Sequence, residues 1–424
     1  MMLNSGVVRG LLLDLTPLRG REFRLLFLAQ LVSFFGSMIT FVALPFQMYD
    51  LTGSTLAVGA LGVCQFVPIV TVALVSGALA DAVDRRTLVR LSELGSAVVV
   101  GGLLANSLLG EPRVWVLFVC AALLAAFYAL LRPPLHALVP RVVPREQLKA
   151  AMALEWLRGD VGMVAGPAIG GVLIAAFGVT LTYGLDIATF LVSLGFLALM
   201  RASPPPEDAD RPSLRSIAEG LRYAWQRPVL LGTYVVDINA MFFGMPQALF
   251  PAIAVGYGGA EALGLLLAAP AAGSMLVAVF SGWTRRVHRH GRAVALAAIG
   301  WGAAIVGFGL AGALWLALAC LAVAGAMDAI SGLFRSVIWN ETIPDRLRGR
   351  LAGVEMISYT SGPTLGNFEA GALASVVGVR ASVVSGGVMC VVGTGVILAF
   401  LPALWRYDAR EAGAPEGAGL EPVR

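Results

Sequence analysis

Several acidic side chains lie inside long apolar stretches of this sequence, where a charge is costly and needs a partner or a task, and four of them are our candidates for a functional role. They are Asp160, Asp237, Asp328 and Glu369, and Asn239 closely follows Asp237. Because burial disfavours the charged form of a carboxyl group, such a residue could take up and release protons. These residues are therefore our candidates for proton coupling or for binding a polar group of a substrate.

A purely structural role is the alternative for two of these acids. Asp160 lies close to Arg158 in the sequence, and Asp328 lies on the same apolar stretch as Arg335. Either carboxylate could simply pair with one of these guanidinium groups, or with that of Arg132, since a buried charge needs a partner. The sequence leaves both interpretations open.

The composition is that of a membrane protein. Of 424 residues, 58% are hydrophobic and 13% are charged, and the mean hydropathy is +0.83, whereas soluble domains are about 25% charged. The four cysteines fall in apolar stretches without metal-ligand spacing, and no phosphate-binding Gly-x-x-x-x-Gly-Lys-Ser/Thr motif occurs. We therefore expect no enzyme, no metal and no cofactor. The net charge of +4 sits in short loops, which indicates membrane orientation rather than nucleic-acid binding.

Twelve apolar stretches are long enough to cross a bilayer as helices, which rise about 1.5 Å per residue. We number them as spans 1 to 12, and they lie near 24–49, 56–80, 87–110, 114–138, 151–177, 181–200, 229–254, 262–284, 293–311, 313–337, 351–376 and 382–404. The predicted fold class is an all-α membrane protein with twelve transmembrane helices. Arginines concentrate in alternate loops, beginning with the N-terminal segment, which predicts that both termini are cytoplasmic.

A polar linker divides six spans from six. Residues 201–228 carry three consecutive prolines and then apolar residues at helical spacing, which predicts an amphipathic helix on the inner membrane surface. We therefore predict an N-terminal six-helix bundle at 1–200, a C-terminal six-helix bundle at 229–405 and a disordered cytoplasmic tail at 406–424. Weak similarity between the halves, such as two Gly-Pro pairs at nearly matching offsets, indicates that the bundles are pseudo-symmetric.

The loop between spans 2 and 3 has a distinctive spacing. From Gly77 it reads GALADAVDRR, which resembles the signature loop of the major facilitator superfamily. An ordinary positively charged loop would explain the arginines but neither the glycine-to-aspartate spacing nor Asp81. The resemblance implies the major facilitator fold, in which Asp81, Arg85 and Arg86 act as a conformational latch between the bundles. Glu355, near the inner end of span 11, is the candidate partner of these arginines.

A glycine motif in span 5 also has a counterpart in this superfamily. Gly166, Pro167, Gly170 and Gly171 resemble the Gly-Pro-x-x-Gly-Gly motif of its drug-antiporter branches. A proline kink beside a face of small residues would equally suit close helix packing alone, so both interpretations stay open. Further matches along nearly the whole chain resemble the twelve-helix branch that contains macrolide exporters and the enterobactin exporter.

The resemblance also ranks the acidic candidates. Spans 7 and 10 line the central cavity of the superfamily's fold, which makes Asp237 the first candidate for carrying protons and Asp328 the second. Span 1 has no acidic residue before Asp50, unlike several drug–proton antiporters, and this also favours Asp237. Asp186, at the outer end of span 6, is expected to be solvated or to cap a helix. Polar and aromatic side chains of spans 1 and 7 are candidates for lining the cavity, among them Gln30, Phe34 and Phe243.

We therefore predict a secondary active exporter of amphipathic small molecules, either drugs or a siderophore-like metabolite. It would act as a monomer in the bacterial cytoplasmic membrane, by proton antiport and alternating access. Its partners would be the small-molecule substrate, protons and the lipid bilayer. The alternatives are an uptake symporter or uniporter of the same fold and a non-transporting membrane receptor or scaffold. The Gly-Pro motif argues against the first, and the lack of a sizeable soluble domain against the second.

Overall fold

The computed structural model describes residues 14–201, 222–223, 225–343 and 345–412; side chains at 74, 75, 77, 78, 80–82, 345–360 and 411–412 are not described. Within these residues the chain is helical and contains no β-strand. The helices are α1 (Arg21–Thr52), α2 (Thr55–Ala82), α3 (Arg85–Ser107), α4 (Val114–Val142), α5 (Leu148–Ala198), α6 (Pro228–Phe243), α7 (Phe250–Val255), α8 (Ala260–Val279), α9 (His290–Leu310), α10 (Leu314–Thr342), α11 (Asp345–Val377), α12 (Val379–Phe400), α13 (Pro402–Arg406) and α14 (Ala409–Ala412).

Helix length and apolarity identify a multi-pass membrane protein. Ten helical segments of the described residues are long and apolar enough to cross a membrane. One of them contains two predicted spans, because α5 breaks at Gly178, where φ is +75° and a side chain would be strained. The 33-residue α11 covers predicted span 11. These helices are consistent with twelve spans, and that count stays a prediction.

The seventh predicted span is not one continuous helix. It divides into α6 and α7 at Gly244 and Pro246, which favour such a break because proline has no amide donor. The Gly244 carbonyl accepts a hydrogen bond from Trp301 Nε1 at 2.9 Å, and the Ala248 amide donates to Asn367 Oδ1 at 2.8 Å. These side chains satisfy backbone groups that a broken membrane helix would otherwise leave unpaired.

The chain forms two compact units. The first unit comprises Met1–Thr52 and Cys64–Pro212, and the second comprises Gly53–Val63 and Ser213–Arg424. The units therefore resemble the bundles predicted at 1–200 and 229–405, except that the first turns of α2 group with the second unit. The amphipathic helix predicted within 201–228 lies largely outside the described residues.

Glycines set the packing of α1 on α5 in the first unit. A Cβ atom on Gly170 would lie 3.2 Å from a backbone Cα of α1, and one on Gly166 would overlap the side chain of Met38. Pro167 and Gly171 of the same motif are buried. Small residues at a helix interface let two backbones approach closely. The close-packing interpretation of this motif therefore agrees with the structure.

Backbone-to-backbone contact also shapes the second unit. An added Cβ on Gly273 of α8 would overlap the Ala322 carbonyl of α10, and one on Gly325 would overlap the Pro270 carbonyl. The two helices thus cross at glycines, where no side chain keeps their backbones apart. Beside them lies an apolar cluster, formed by Val236, Val294, Ala298, Phe334, Ile338 and Leu404.

The C-terminal tail is ordered further than the sequence predicted. Tyr407 donates a hydrogen bond to Glu341 Oε2 at 2.7 Å, and the Ala409 amide donates to the His288 carbonyl at 3.0 Å. The prediction that disorder begins at 406 is therefore wrong for residues 406–410, because an aromatic anchor and short helices hold them to the second unit. Residues 413–424 lie outside the described residues.

Replacing Gly325 with alanine should destabilise the second unit, since the new methyl group would overlap a backbone carbonyl that cannot rotate away. Overpacking of this kind costs about 1–3 kcal/mol. Thermal unfolding of the detergent-purified protein should show a lower midpoint. Gly184→Ala is the matched control, because no atom lies within 4 Å of its Cβ position; helix propensity alone should leave it neutral or slightly stabilised. An equal loss in both variants would contradict the packing argument.

Candidate substrate and proton site

An ion pair lies at the centre of the second unit. Asp237 of α6 and Arg335 of α10 form this pair, and each side chain is only 3% exposed. Burying either charge alone would be strongly unfavourable, so the pairing explains how both are tolerated inside an apolar bundle. Asp237 is thus held by a guanidinium rather than free.

A second carboxylate approaches the same arginine. Asp328 lies about two helical turns before Arg335 on α10 and therefore on the same face. Its Oδ1 is 4.0 Å from Arg335 Nη2, and its side chain is 42% exposed. The structure therefore brings the predicted Asp237 and Asp328 together around one guanidinium. Asp237 is the enclosed partner, and Asp328 is the accessible one.

These acids border a small recess within the second unit. Its wall combines the two carboxylates with one hydroxyl group and soft apolar side chains: Asp237, Asp328, Ser331, Ala240, Met241, Ala297, Ala298, Trp301 and Met327. Methionine and tryptophan surfaces adapt to ligands of irregular shape, and the carboxylates give the recess a polar end. The recess has room for about one water-sized group, so it can hold a proton or a water molecule beside the two carboxylates.

The remaining candidates of the second unit lie elsewhere. Asn239 donates hydrogen bonds from Nδ2 to the Cys390 carbonyl at 2.9 Å and to Thr394 Oγ1 at 3.2 Å, so it ties α6 to α12. Phe243 makes an edge-to-face contact with a neighbouring ring, with centroids 4.9 Å apart. Glu369 is half-buried on α11. None of these three lines the recess beside Asp237.

In the first unit, Gln30 and Phe34 surround an arginine of α5. Arg158 pairs with Glu155 at 2.9 Å, donates to the Gln30 carbonyl at 3.3 Å and lies 5.2 Å from the centre of the Phe34 ring. The guanidinium is thus held by a carboxylate, a carbonyl and an aromatic face together. Asp160, further along α5, is exposed on the unit.

Sequence reasoning missed two carboxyl groups of the first unit. Glu93 on α3 is 1% exposed, and Asp186 on α5 is 0% exposed. The expectation that Asp186 is solvated is therefore wrong, because the α5 turn at Gly178 is a single residue and places Asp186 well inside the helix. A signal existed in the buried polar residues of α1, which need polar partners on neighbouring helices.

The signature loop is anchored inside the first unit. Asp84 caps α3 by accepting a hydrogen bond from the Thr87 amide at 2.8 Å. Arg86 donates to the Leu197 and Ala198 carbonyls at 2.9 and 2.8 Å, at the C-terminal end of α5. Arg85 reaches an α4 carbonyl at 3.3 Å. The predicted latch also includes Gly77, Asp81 and Glu355. The side-chain surroundings of these three positions lie outside the described part of the structure.

Comparison with known proteins identifies relatives along nearly the whole chain. Residues 13–415 match the family model described as transmembrane secretion effector. The enterobactin exporter EntS of Citrobacter koseri is 31% identical over 417 residues, which cover 96% of this chain and 99% of that protein. EntS of Shigella boydii serotype 18 is 31% identical over 403 residues, covering 93% of this chain and 96% of the relative.

Solved transporter structures share the fold. A bacterial homologue of the human lysosomal transporter Spinster, inward-facing and unoccupied, superimposes with a TM-score of 0.72 at 16% identity, covering 95% of this chain and all (100%) of that one. A bacterial homologue of the iron transporter ferroportin, also inward-facing, gives 0.70 at 16% identity over 91% and 99% of the two chains. This likeness confirms the predicted all-α transporter fold.

Removing the arginine of the buried pair should lower the free energy of unfolding more than removing its aspartate. Arg335→Gln leaves two carboxylates without their cation, whereas Asp237→Asn leaves Arg335 beside Asp328. Removing one partner of a buried pair costs about 3–5 kcal/mol, so we expect Arg335→Gln to approach that range and Asp237→Asn to cost less. Chemical unfolding in detergent measures both.

Arg289→Gln supplies the control for this comparison. It breaks the exposed Arg289–Asp408 contact of 3.8 Å and should cost less than about 1 kcal/mol, as surface pairs do. Equal losses for Asp237→Asn and Arg335→Gln would show that Asp328 does not compensate Arg335.

Proposed function

Because the chain belongs to the transmembrane secretion effector family of the major facilitator superfamily, we propose that it exports an amphipathic small molecule in exchange for protons. Its cargo is an enterobactin-like siderophore or a drug of similar character. It works as a monomer by alternating access in a bacterial cytoplasmic membrane, with both termini in the cytoplasm.

One observation carries the proton-coupling part of this proposal: two carboxylates share one buried guanidinium. With both acids ionised, the cluster of Asp237, Arg335 and Asp328 carries one net negative charge in apolar surroundings. A single bound proton makes the cluster neutral, and in a medium of low dielectric constant the neutral state is the one that burial tolerates. The cluster is therefore suited to bind one proton.

The same geometry provides a switch. Asp237 is paired with Arg335, while Asp328 is accessible from the recess and lies 4.0 Å from the other guanidinium nitrogen. A proton on Asp328 leaves the Asp237–Arg335 pair neutral and intact. Loss of that proton draws Arg335 towards Asp328, and a cargo group at the recess would compete for the same space. In this proposal Asp328 exchanges protons with water, in place of Asp237, which the sequence ranked first. Asp237 instead sets the position of Arg335.

The other predicted residues have supporting parts in this proposal. Phe34 and Asp160 in the first unit, and Phe243 and Glu369 in the second, are candidates for contact with cargo, each within its own unit. Gln30 and Asn239 instead hold neighbouring helices together through their hydrogen bonds. Asp81, Arg85, Arg86 and Glu355 form the conformational latch. The hydrogen bonds of Arg86 to α5 carbonyls support a loop held in a fixed position.

Direction of transport distinguishes export from the alternative of uptake by a carrier of this fold. Cells that lack their own siderophore exporter and express this chain should retain less enterobactin than cells with an empty vector. The amount of labelled enterobactin that the cells retain after a pulse shows the direction of transport. Higher retention would indicate uptake, and unchanged retention of this cargo and of a panel of amphipathic drugs would contradict a transport function.

Removing either carboxylate of the cluster should uncouple transport from the pH gradient. We expect Asp328→Asn and Asp237→Asn to bind cargo in proteoliposomes but to lose transport driven by an imposed pH gradient, at least tenfold below the unmodified protein (about 1.4 kcal/mol in the coupling step). Glu261→Gln, at an exposed first turn of α8, is the control and should transport normally. Full gradient-driven transport by Asp328→Asn would refute its assignment as the proton carrier.

A further inference from the structure

A buried polar seam runs along α1 inside the first unit. Its members, Gln30, Ser33, Thr40 and Gln47, are each no more than 5% exposed. Their spacing by three or seven residues places them on one face of the helix. From Gln30 to Gln47 the seam extends about 25 Å at 1.5 Å per residue, most of the thickness of a bilayer core.

Glu93 meets the inner half of this seam. Its Oε1 accepts hydrogen bonds from Gln30 Nε2 at 3.0 Å and from Ser33 Oγ at 2.9 Å. Its Oε2 is buried without a hydrogen bond of ordinary geometry, as is the hydroxyl of Ser193, although this hydroxyl lies close enough to Glu93 to favour its ionised form. The carboxyl group therefore has donors of ordinary hydrogen-bond geometry on one side only.

Asp186 meets the outer half. It accepts hydrogen bonds from the hydroxyl groups of Thr40 and Thr189, the latter at 3.2 Å. Gln47, at the end of the seam, accepts a hydrogen bond from Tyr183 at 2.9 Å. Glu93 and Asp186 thus accept hydrogen bonds only from neutral donors of α1 and α5 among the described residues.

No counter-charge balances these two acids within the described residues: none of the ion pairs there includes Glu93 or Asp186. The charged groups that face Glu93 are Arg158 of α5 and, along the seam, Asp186. Arg158 is already held by Glu155 at 2.9 Å. A buried carboxylate without a paired cation is costly, so this environment suits a carboxyl group that holds a proton.

We propose that Glu93 is a second proton-binding site of the transporter, located in the first unit and separate from the Asp237–Arg335–Asp328 cluster, with Asp186 as its companion along the seam. Its ligand is a proton. The protonated form places a hydrogen on Oε2, which can then donate to Ser193 and satisfy both atoms. The ionised form is stabilised by the Gln30, Ser33 and Ser193 donors and by the nearby positive charge of Arg158. Each state therefore has partners, as an exchanging group requires.

Proton binding at Glu93 can be measured without any cargo. Infrared difference spectra of the purified protein between alkaline and acidic buffer report the carbonyl stretch of protonated carboxyl groups in apolar surroundings. We expect the unmodified protein to show such a band, Glu93→Gln to lose its glutamate component, and Glu93→Asp to shift it. Isotope-labelled glutamate in the unmodified protein separates glutamate bands from aspartate bands. Glu93→Asp, which keeps a carboxyl group, then assigns the band to this position even if Glu93→Gln folds poorly. Glu261→Gln, on the exposed surface, should leave the band unchanged.

Two results would overturn the proposal. One is a carbonyl band that does not shift with isotope-labelled glutamate and persists in Glu93→Gln, and the other is a spectrum without any glutamate component. Because it adds a proton to the proposed antiport cycle, proteoliposomes give the second readout. The number of protons taken up per enterobactin exported should fall by about one in Glu93→Gln and be retained in Glu93→Asp. Gradient-driven export with an unchanged ratio in Glu93→Gln refutes the second site alone. Absence of gradient-driven export in the unmodified protein refutes the proposed function, while the infrared result still decides the site.

Discussion

The cost of placing a charge inside an apolar helix bundle governs both units of this protein. Such a charge must be paired, hydrogen-bonded or neutralised by a proton. The second unit uses pairing, with Arg335 between Asp237 and Asp328. The first unit uses neutral hydrogen-bond donors around Glu93 and Asp186. The two units thus offset the cost of a buried charge in chemically different ways, one with an ion pair and the other with neutral hydrogen bonds.

Helix packing makes both arrangements geometrically available. In the first unit, glycines of α5 bring α1 close enough for its polar seam to meet α3 and α5. In the second, α6 and α10 carry Asp237 and Arg335 respectively, and glycines let α8 and α10 approach closely elsewhere along α10. Small residues matter here because a seam of short polar side chains can hydrogen-bond across an interface only when the backbones approach closely.

The sequence predicted the all-α membrane fold because apolar length is a strong, local signal. It placed Asp160, Asp237 and Asp328 at similar depth, and the structure brings only Asp237 and Asp328 of these to one guanidinium. It missed Asp186 because a boundary error of a few residues moves a side chain by several Å in depth at 1.5 Å per residue. It missed Glu93 because the residue follows Arg90 near a predicted span end, where a solvated position is the usual outcome. Sequence periodicity shows which residues share a helix face, but it does not show which residues of other helices they contact.

The two environments differ in how they respond to a proton. Under the proposed coupling, a proton on Asp328 would leave the Asp237–Arg335 pair neutral, and the arginine would change its pairing when that proton leaves. In the first unit a proton on Glu93 removes the charge altogether and turns an acceptor into a donor, which reorders hydrogen bonds with Ser193, Gln30 and Ser33 rather than an ion pair. Ion pairs hold position strongly, whereas neutral hydrogen bonds of about 1 kcal/mol each rearrange easily. The two proposed proton sites would therefore respond differently, since one changes the pairing of an arginine and the other changes only neutral hydrogen bonds.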